Sequence, residues 1–147
     1  MGLYFEEFVL EEPRTTLGRI VGEGDITTFA GLAGDFNPLH VDKEFSRATP
    51  FGGRIAHGPM TVAMAIGLMS RLDMIDGTAM ALLNLNWDFQ GPVRIGDTIR
   101  ARVTPVAKRP SQKPDRGVVT LRFEVLNQRG ETVQTGAATL LMRRKPG

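Results

Sequence analysis

Residues 58–72 constrain this chain more than any other stretch. Met60, Val62, Ala63, Met64, Ala65, Ile66, Leu68 and Met69 all fall within it. Wound into a helix, they leave almost no polar side, and a helix that is apolar nearly all round must be buried on most sides. Pro59 suits its first turn, where the missing N–H costs nothing. The stretch is too short to span a bilayer, which takes ~20 apolar residues. The chain has 147 residues, the size of one domain at roughly 100–200 residues each. The cover for this helix must therefore come from the same domain.

The rest of the chain supplies that cover as strands. Ile99, Ala101 and Val103 alternate with Arg100, Arg102 and Thr104, and Val119, Leu121, Phe123 and Val125 alternate with Thr120, Arg122 and Glu124. Such period-two patterns predict half-buried strands. Residues 79–86 form another apolar run, 91–97 a turn and edge segment, 128–131 a turn, and 132–142 the last strand. Residues 15–21 are expected to form a first strand, broken at Gly22-Glu23-Gly24. Asp25 is the expected N-cap of a short helix, with Ile26, Phe29, Ala30 and Ala33 on one face and Gly34 at its left-handed end. Residues 41–56 read as irregular. Strands joined by short turns pair antiparallel. The layout is α+β, an antiparallel sheet wrapped about one long helix. Residues 1–147 read as one domain, with 1–14 as a surface-hugging arm and 143–147 as a frayed basic tail.

Composition narrows the chemistry. With no Cys, disulfides, thiolate nucleophiles, Fe–S clusters and Cys-ligated zinc are all excluded. Two His suit no His-rich metal site, and no metal is expected. Eighteen Lys and Arg against sixteen Asp and Glu leave a net charge of +2, too near balance for a nucleic-acid partner. The first residues have neither a basic start nor a long apolar run, so they do not read as a signal peptide. The expectation is a cytoplasmic protein with no membrane partner.

The segment Gly34-Asp35-Phe36-Asn37-Pro38-Leu39-His40 is the most informative for function. Pro38 pushes Asn37 out of helical conformation, so Asp35 and His40 lie on two limbs of a tight turn. A carboxylate and an imidazole converging on one point suit water addition: one removes the water proton and the other places or returns one. The same residues also suit a plain Asx turn that only shapes the backbone. Ala56-His57-Gly58-Pro59 leads into the apolar helix, whose first N–H groups have no internal partner and carry partial positive charge. Gly58, without a side chain, is the best donor there to a carbonyl oxygen gaining charge. His57 reads equally as a cap or a satisfied core residue. Between Arg100 and Arg122 lie seven basic residues and one acid, Asp115. Residues 107–116 are expected to be a loop. Its charges suit a solvated hairpin or the phosphates of an anionic ligand.

These motifs resemble the MaoC-like dehydratase family, which includes the (R)-specific enoyl-CoA hydratases. The resemblance is carried by D-x-N-P-x-H at Asp35–His40 and by Ala56-His57-Gly58 some sixteen residues later. Trp87-Asp88-Phe89 and Pro92-Val93-Arg94-Ile95-Gly96-Asp97-Thr98 match later strands of the family. The resemblance implies a single hot-dog fold and a homodimer or higher oligomer, with the active site near the interface. It implies Asp35 and His40 as the catalytic pair, with Gly58, Asn37 and His57 at the oxyanion and substrate-binding positions. The implied reaction is reversible hydration of a trans-2-enoyl thioester to a (3R)-3-hydroxyacyl thioester, on coenzyme A or an acyl carrier. Coenzyme A enters as part of the substrate, with no separate cofactor. In one respect the chain departs from several hydratases. Ala63 stands where they carry a Ser, six residues after the A-H-G His, and the nearest hydroxyl is Thr61. A hot-dog thioesterase and a non-catalytic acyl-CoA-binding domain are the alternatives, since one scaffold hosts several chemistries. The Asp-and-His pair suits hydration better than hydrolysis.

Overall fold

The computed structural model describes residues 1–147. In chain order its elements are β1 (Arg14–Thr15), β2 (Arg19–Ile20), α1 (Glu23–Ala33), α2 (Pro38–Val41), α3 (Lys43–Arg47), α4 (Gly58–Ser70), β3 (Ala79–Phe89), β4 (Thr98–Pro110), β5 (Arg116–Leu126) and β6 (Thr132–Arg143). The strands form one antiparallel sheet in the order β1-β4-β5-β6-β3, with β2 also on β4. The expected alternation decides which side of each strand faces in. Ala101 pairs with Val125 and Val103 with Phe123, and all four are fully buried. They form one core with Met60, Met64, Ala65 and Met69 of α4. Burying each such Met or Val stabilises by roughly 1.5–3 kcal/mol. Only a narrow line of α4 (Pro59, Ala63, Gly67 and Ser70) is exposed. This is the hot-dog arrangement, a sheet curled round a central helix. No helix is long and apolar enough to cross a membrane.

Several boundaries differ from expectation. The single strand over 15–21 is two short pieces. Arg14 pairs with Val103 but Arg19 with Ile99, so the register moves by one residue between them. There the Thr16 hydroxyl accepts the Ala101 N–H at 2.9 Å. Helix α1 starts at Glu23, with Gly22 as its cap. Asp25 is therefore not the N-cap. Its carboxylate reaches back to the Gly22 N–H at 2.9 Å and holds Arg19 at 2.8 Å, which suits the positive end of a helix. Gly34 does end α1 in the left-handed region, at φ 75°. The stretch read as irregular contains α3 and the end of α2. Both are too short to show periodicity, but each has a capping side chain. Asn37 accepts the Leu39 N–H, and Asp42 accepts those of Glu44 and Phe45.

Residues 107–110 are strand, not loop, and pair with 117–120. The turn between β4 and β5 is confined to 111–115. The termini are also better anchored than expected. Phe5 and Phe8 of the arm are buried in the core. The tail is not frayed: Arg144 Nε donates to Glu6 Oε1 at 2.7 Å, the Lys145 N–H donates to Glu6 Oε2 at 3.1 Å, and Lys145 Nζ lies 2.9 Å from Glu7. Held chiefly by the Arg144 guanidinium, the Glu6 carboxyl sits at a pKa of about 2.

Candidate active site

The turn after α1 folds as its residues dictate. Asp35 Oδ1 accepts the Asn37 N–H at 3.2 Å, and Asn37 Oδ1 accepts the Leu39 N–H at 3.1 Å. Pro38 takes the first position of α2, where it needs no donor. That one turn carries His40 back toward Asp35. Arg54 Nε donates to the His40 carbonyl at 2.6 Å, and its Nη1 pairs with Glu23 at 2.6 Å, so the segment is also tied to α1.

The two imidazoles are set by main-chain carbonyls. His40 Nδ1 lies 2.8 Å from the Ile55 carbonyl oxygen. A carbonyl only accepts, so Nδ1 carries the hydrogen and Nε2 is left with a free lone pair. His57 Nε2 donates to the Asp35 carbonyl at 3.0 Å. The His57 ring is fully buried and stacks on His40, with centroids 3.9 Å apart and planes 27° apart. Phe29 of α1 covers it at 4.9 Å. Its Nδ1 has no partner, and an interior acceptor left unpaired costs roughly 1–3 kcal/mol.

Ligating atoms of Asp35, His40 and His57 all lie within 4.8 Å of one another. The near-parallel ring planes do not converge where a metal bonded to both would sit, about 2 Å from each nitrogen.

Beside His40 lies a cavity of about 320 Å³, within the range of small-molecule sites. His40, Phe51, Ile55, Gly58, Phe89 and Gln134 line it. Gly58 opens α4, so this wall carries N–H groups without helical partners. A Cβ on Gly58 would lie 3.1 Å from the Phe89 ring and press on it at the cavity wall. Gln134 is buried and held on both sides. Its Nε2 donates to Thr61 Oγ1 at 2.6 Å, and its Oε1 accepts from Trp87 Nε1 at 3.0 Å.

The structure thus brings together Asp35, His40 and His57, and puts His40 and Gly58 on one cavity. Asp35 is exposed and is not among the residues lining the cavity. Asn37 shapes the turn and is not among the residues lining this cavity. His57, expected beside the substrate, is fully buried, stacked on His40, and does not line this cavity. Gln134 is not marked by any sequence motif, and Phe89 belongs to the Trp87-Asp88-Phe89 stretch but carries no expected site role. The available signal for Gln134 was a polar side chain in the strand that follows the turn at 128–131. Among the basic residues, Lys108 caps the carbonyls of Glu6 and Phe8. Arg100, Arg102 and Arg122 are exposed, and none of the seven lines the cavity.

A family model described as "MaoC like domain" matches residues 5–127. This chain belongs to the MaoC-like domain family. It is 34% identical to an (R)-specific enoyl-CoA hydratase of Rhodospirillum rubrum, over 95% of this chain and 91% of that one. The crystal structure of a MaoC-like dehydratase from Rhodospirillum rubrum superposes with a TM-score of 0.88 at 32% identity, covering 99% of this chain and 100% of that one. An X-ray structure described as a monoamine oxidase regulatory protein from Archaeoglobus fulgius gives 0.92 at 39% identity, over 99% and 97%. With such relatives, this MaoC-like protein is a hydro-lyase. Its departure at Ala63 falls outside the cavity. Ala63 is exposed and borders a separate cleft with Arg19, Met60, Gly67 and Arg71. The hydroxyl that does reach the cavity wall, through Gln134, is that of Thr61.

Proposed function

We propose that this protein reversibly hydrates a trans-2-enoyl-CoA thioester to the (3R)-3-hydroxyacyl thioester, with Asp35 and His40 handling the water. The observation that carries this is the free Nε2 of His40. His40 lines a cavity that Gly58, at the N-terminus of α4, also lines, and the Asp35 carboxylate lies within 4.8 Å of a ring nitrogen of His40. A water held between the carboxylate and His40 Nε2 gives up a proton to one of them as its oxygen bonds to C3. The electron pair of the C2–C3 double bond moves toward the thioester carbonyl, and the charge collects on that oxygen. The Gly58 N–H stabilises it there, an effect worth on the order of 10²–10³-fold when such a donor is lost. The member of the pair that took this proton then delivers it to C2, while the other holds the water in place. Dehydration runs the same path backward. Coenzyme A takes part only as the carrier of the acyl group, and the chemistry needs no metal.

The working unit in this reading is a homodimer. Strand β3 is a free sheet edge, and Leu82, Leu83, Leu85 and Phe89 on it are about half exposed, at 53%, 49%, 41% and 53%. A long apolar edge is normally paired or covered. Phe89 also lines the cavity, so a second copy on this edge would lie against the site.

The test follows loss of the enoyl-thioester ultraviolet band with crotonyl-CoA and longer enoyl-CoA esters, with chiral analysis of the product. Asp35→Ala and His40→Ala are each expected to lower kcat by on the order of 10²-fold or more. Near-wild-type turnover in either variant overturns the assignment. Release of free coenzyme A thiol without hydration would move it to hydrolysis.

A further inference from the structure

His57 is the most strongly enclosed polar group near the cavity, and the mechanism above gives it nothing to do. It does not line that cavity, yet it contacts both members of the proposed pair. Its Nε2–H holds the Asp35 carbonyl at 3.0 Å, which fixes the main chain that carries the carboxylate. Its ring forms the floor on which His40 lies, at 3.9 Å and 27°. His57 is itself immobile: it is fully buried, packed under Phe29, and its main chain is the cap of α4. An unpaired Nδ1 in the interior is a standing cost that a Phe ring of similar shape would avoid. Burial alone thus explains an aromatic ring at this position but not an imidazole. The donor at Nε2 explains the imidazole.

From this we infer that His57 is a positioning residue. It sets Asp35 and His40 relative to each other and to the N-terminus of α4, without contacting substrate or exchanging a proton with it. The two contacts are separable. The stack holds the plane of the His40 ring, so that Nδ1 stays on the Ile55 carbonyl and Nε2 faces the cavity. The hydrogen bond holds Asp35. Both rest on the same short segment, the cap and first residue of α4 that also present the Gly58 N–H. One rigid element therefore spaces the Asp35–His40 pair and the oxyanion donor. This inference rests on the hydration reading for its kinetic part only.

Three variants separate the contacts. His57→Phe keeps the stack and loses the donor, His57→Gln keeps an amide donor near Nε2 and loses the stacked ring, and His57→Ala loses both. With enoyl-CoA as substrate, His57→Phe is expected to lower kcat about tenfold with KM within about twofold, and His57→Ala on the order of 10²-fold. His57→Gln should recover part of what His57→Ala loses. A second readout needs no activity. The chain has only two histidines, so ring ¹H–¹⁵N spectra of uniformly labelled protein contain two imidazole patterns. The wild type should show one ring protonated on Nδ1, His40, and one on Nε2, His57. In His57→Ala the Nδ1–H signal of His40 should broaden or vanish, and in His57→Phe it should persist. Wild-type kcat in His57→Phe and His57→Ala overturns the inference. So does a kcat loss that merely tracks the fall in melting temperature, or a His40 pattern unchanged in His57→Ala. If wild-type protein hydrates no enoyl thioester, the hydration reading fails, and the spectra still decide whether His57 positions His40.

Discussion

Gly58 does two jobs in this chain. It is the first residue of α4, and its lack of a side chain leaves room for Phe89 at the cavity wall. Gly58→Ala therefore separates fold from site. A first-turn Ala is favoured over Gly by up to ~1 kcal/mol in helices, and the half-exposed Phe89 ring can give way. Thermal stability should hold to within about that amount. The added methyl and the displaced ring narrow the cavity at the proposed oxyanion position, so kcat/KM for enoyl thioesters should fall on the order of 10–10²-fold. Paired melting and kinetic measurements check this, and an unchanged kcat/KM would remove Gly58 from the site. Asp35, His40 and Gly58 were all legible as candidates because each sits at a local signal: a capped turn, an X-Pro step, a helix start. The contacts of His57 with His40 and Asp35 were not legible. Which ring lies under which is decided by contacts between residues 40 and 57, and no pattern of neighbours encodes it.

Among the elements, the long strands and α4 could be read in advance because their periods repeat over ten residues or more. Helices α2 and α3 are hidden by brevity, and the split of the first strand depends on Thr16 bonding to Ala101 across the sheet. The tail was misread because its partners lie far away in sequence. Its basic residues close on Glu6 and Glu7 of the arm. That clamp carries a pH prediction. The Glu6 carboxyl falls from its usual 4.5 to about 2 in the folded protein. A group depressed in this way contributes stability that is fully present above the unfolded value and is lost as pH falls through the folded one. Wild-type melting temperature should therefore drop between about pH 5 and about pH 2 more steeply than that of Glu6→Gln. Because the pair is about one-third exposed, at 36% and 35%, solvent screening keeps the difference small. Parallel slopes in the two proteins would show that the clamp contributes nothing.

For the molecule as a whole, the sheet is closed on one side by its own arm and open on the other at β3. A Lys on such an edge opposes pairing with another strand. Leu85→Lys, at 41% exposure in the single chain, should convert a dimer of twice 16.1 kDa into monomers by light scattering. Most of the hydration activity should go with it, while the isolated fold survives. A fully active wild-type monomer would rule out the shared site.

The sequence by itself determined that a helix apolar nearly all round had to be wrapped by alternating strands. It also determined that a carboxylate and an imidazole would flank a Pro-stiffened turn. Those features come from periodicity and from steric rules acting over a few residues. Only the tertiary structure decided that His40 would hang from the Ile55 carbonyl and lie on His57. It alone placed Gln134 of β6 and Phe89 of β3 beside the start of α4. Those distances are set by how the helix seats in the sheet, a packing of surfaces distant in sequence that no local pattern specifies.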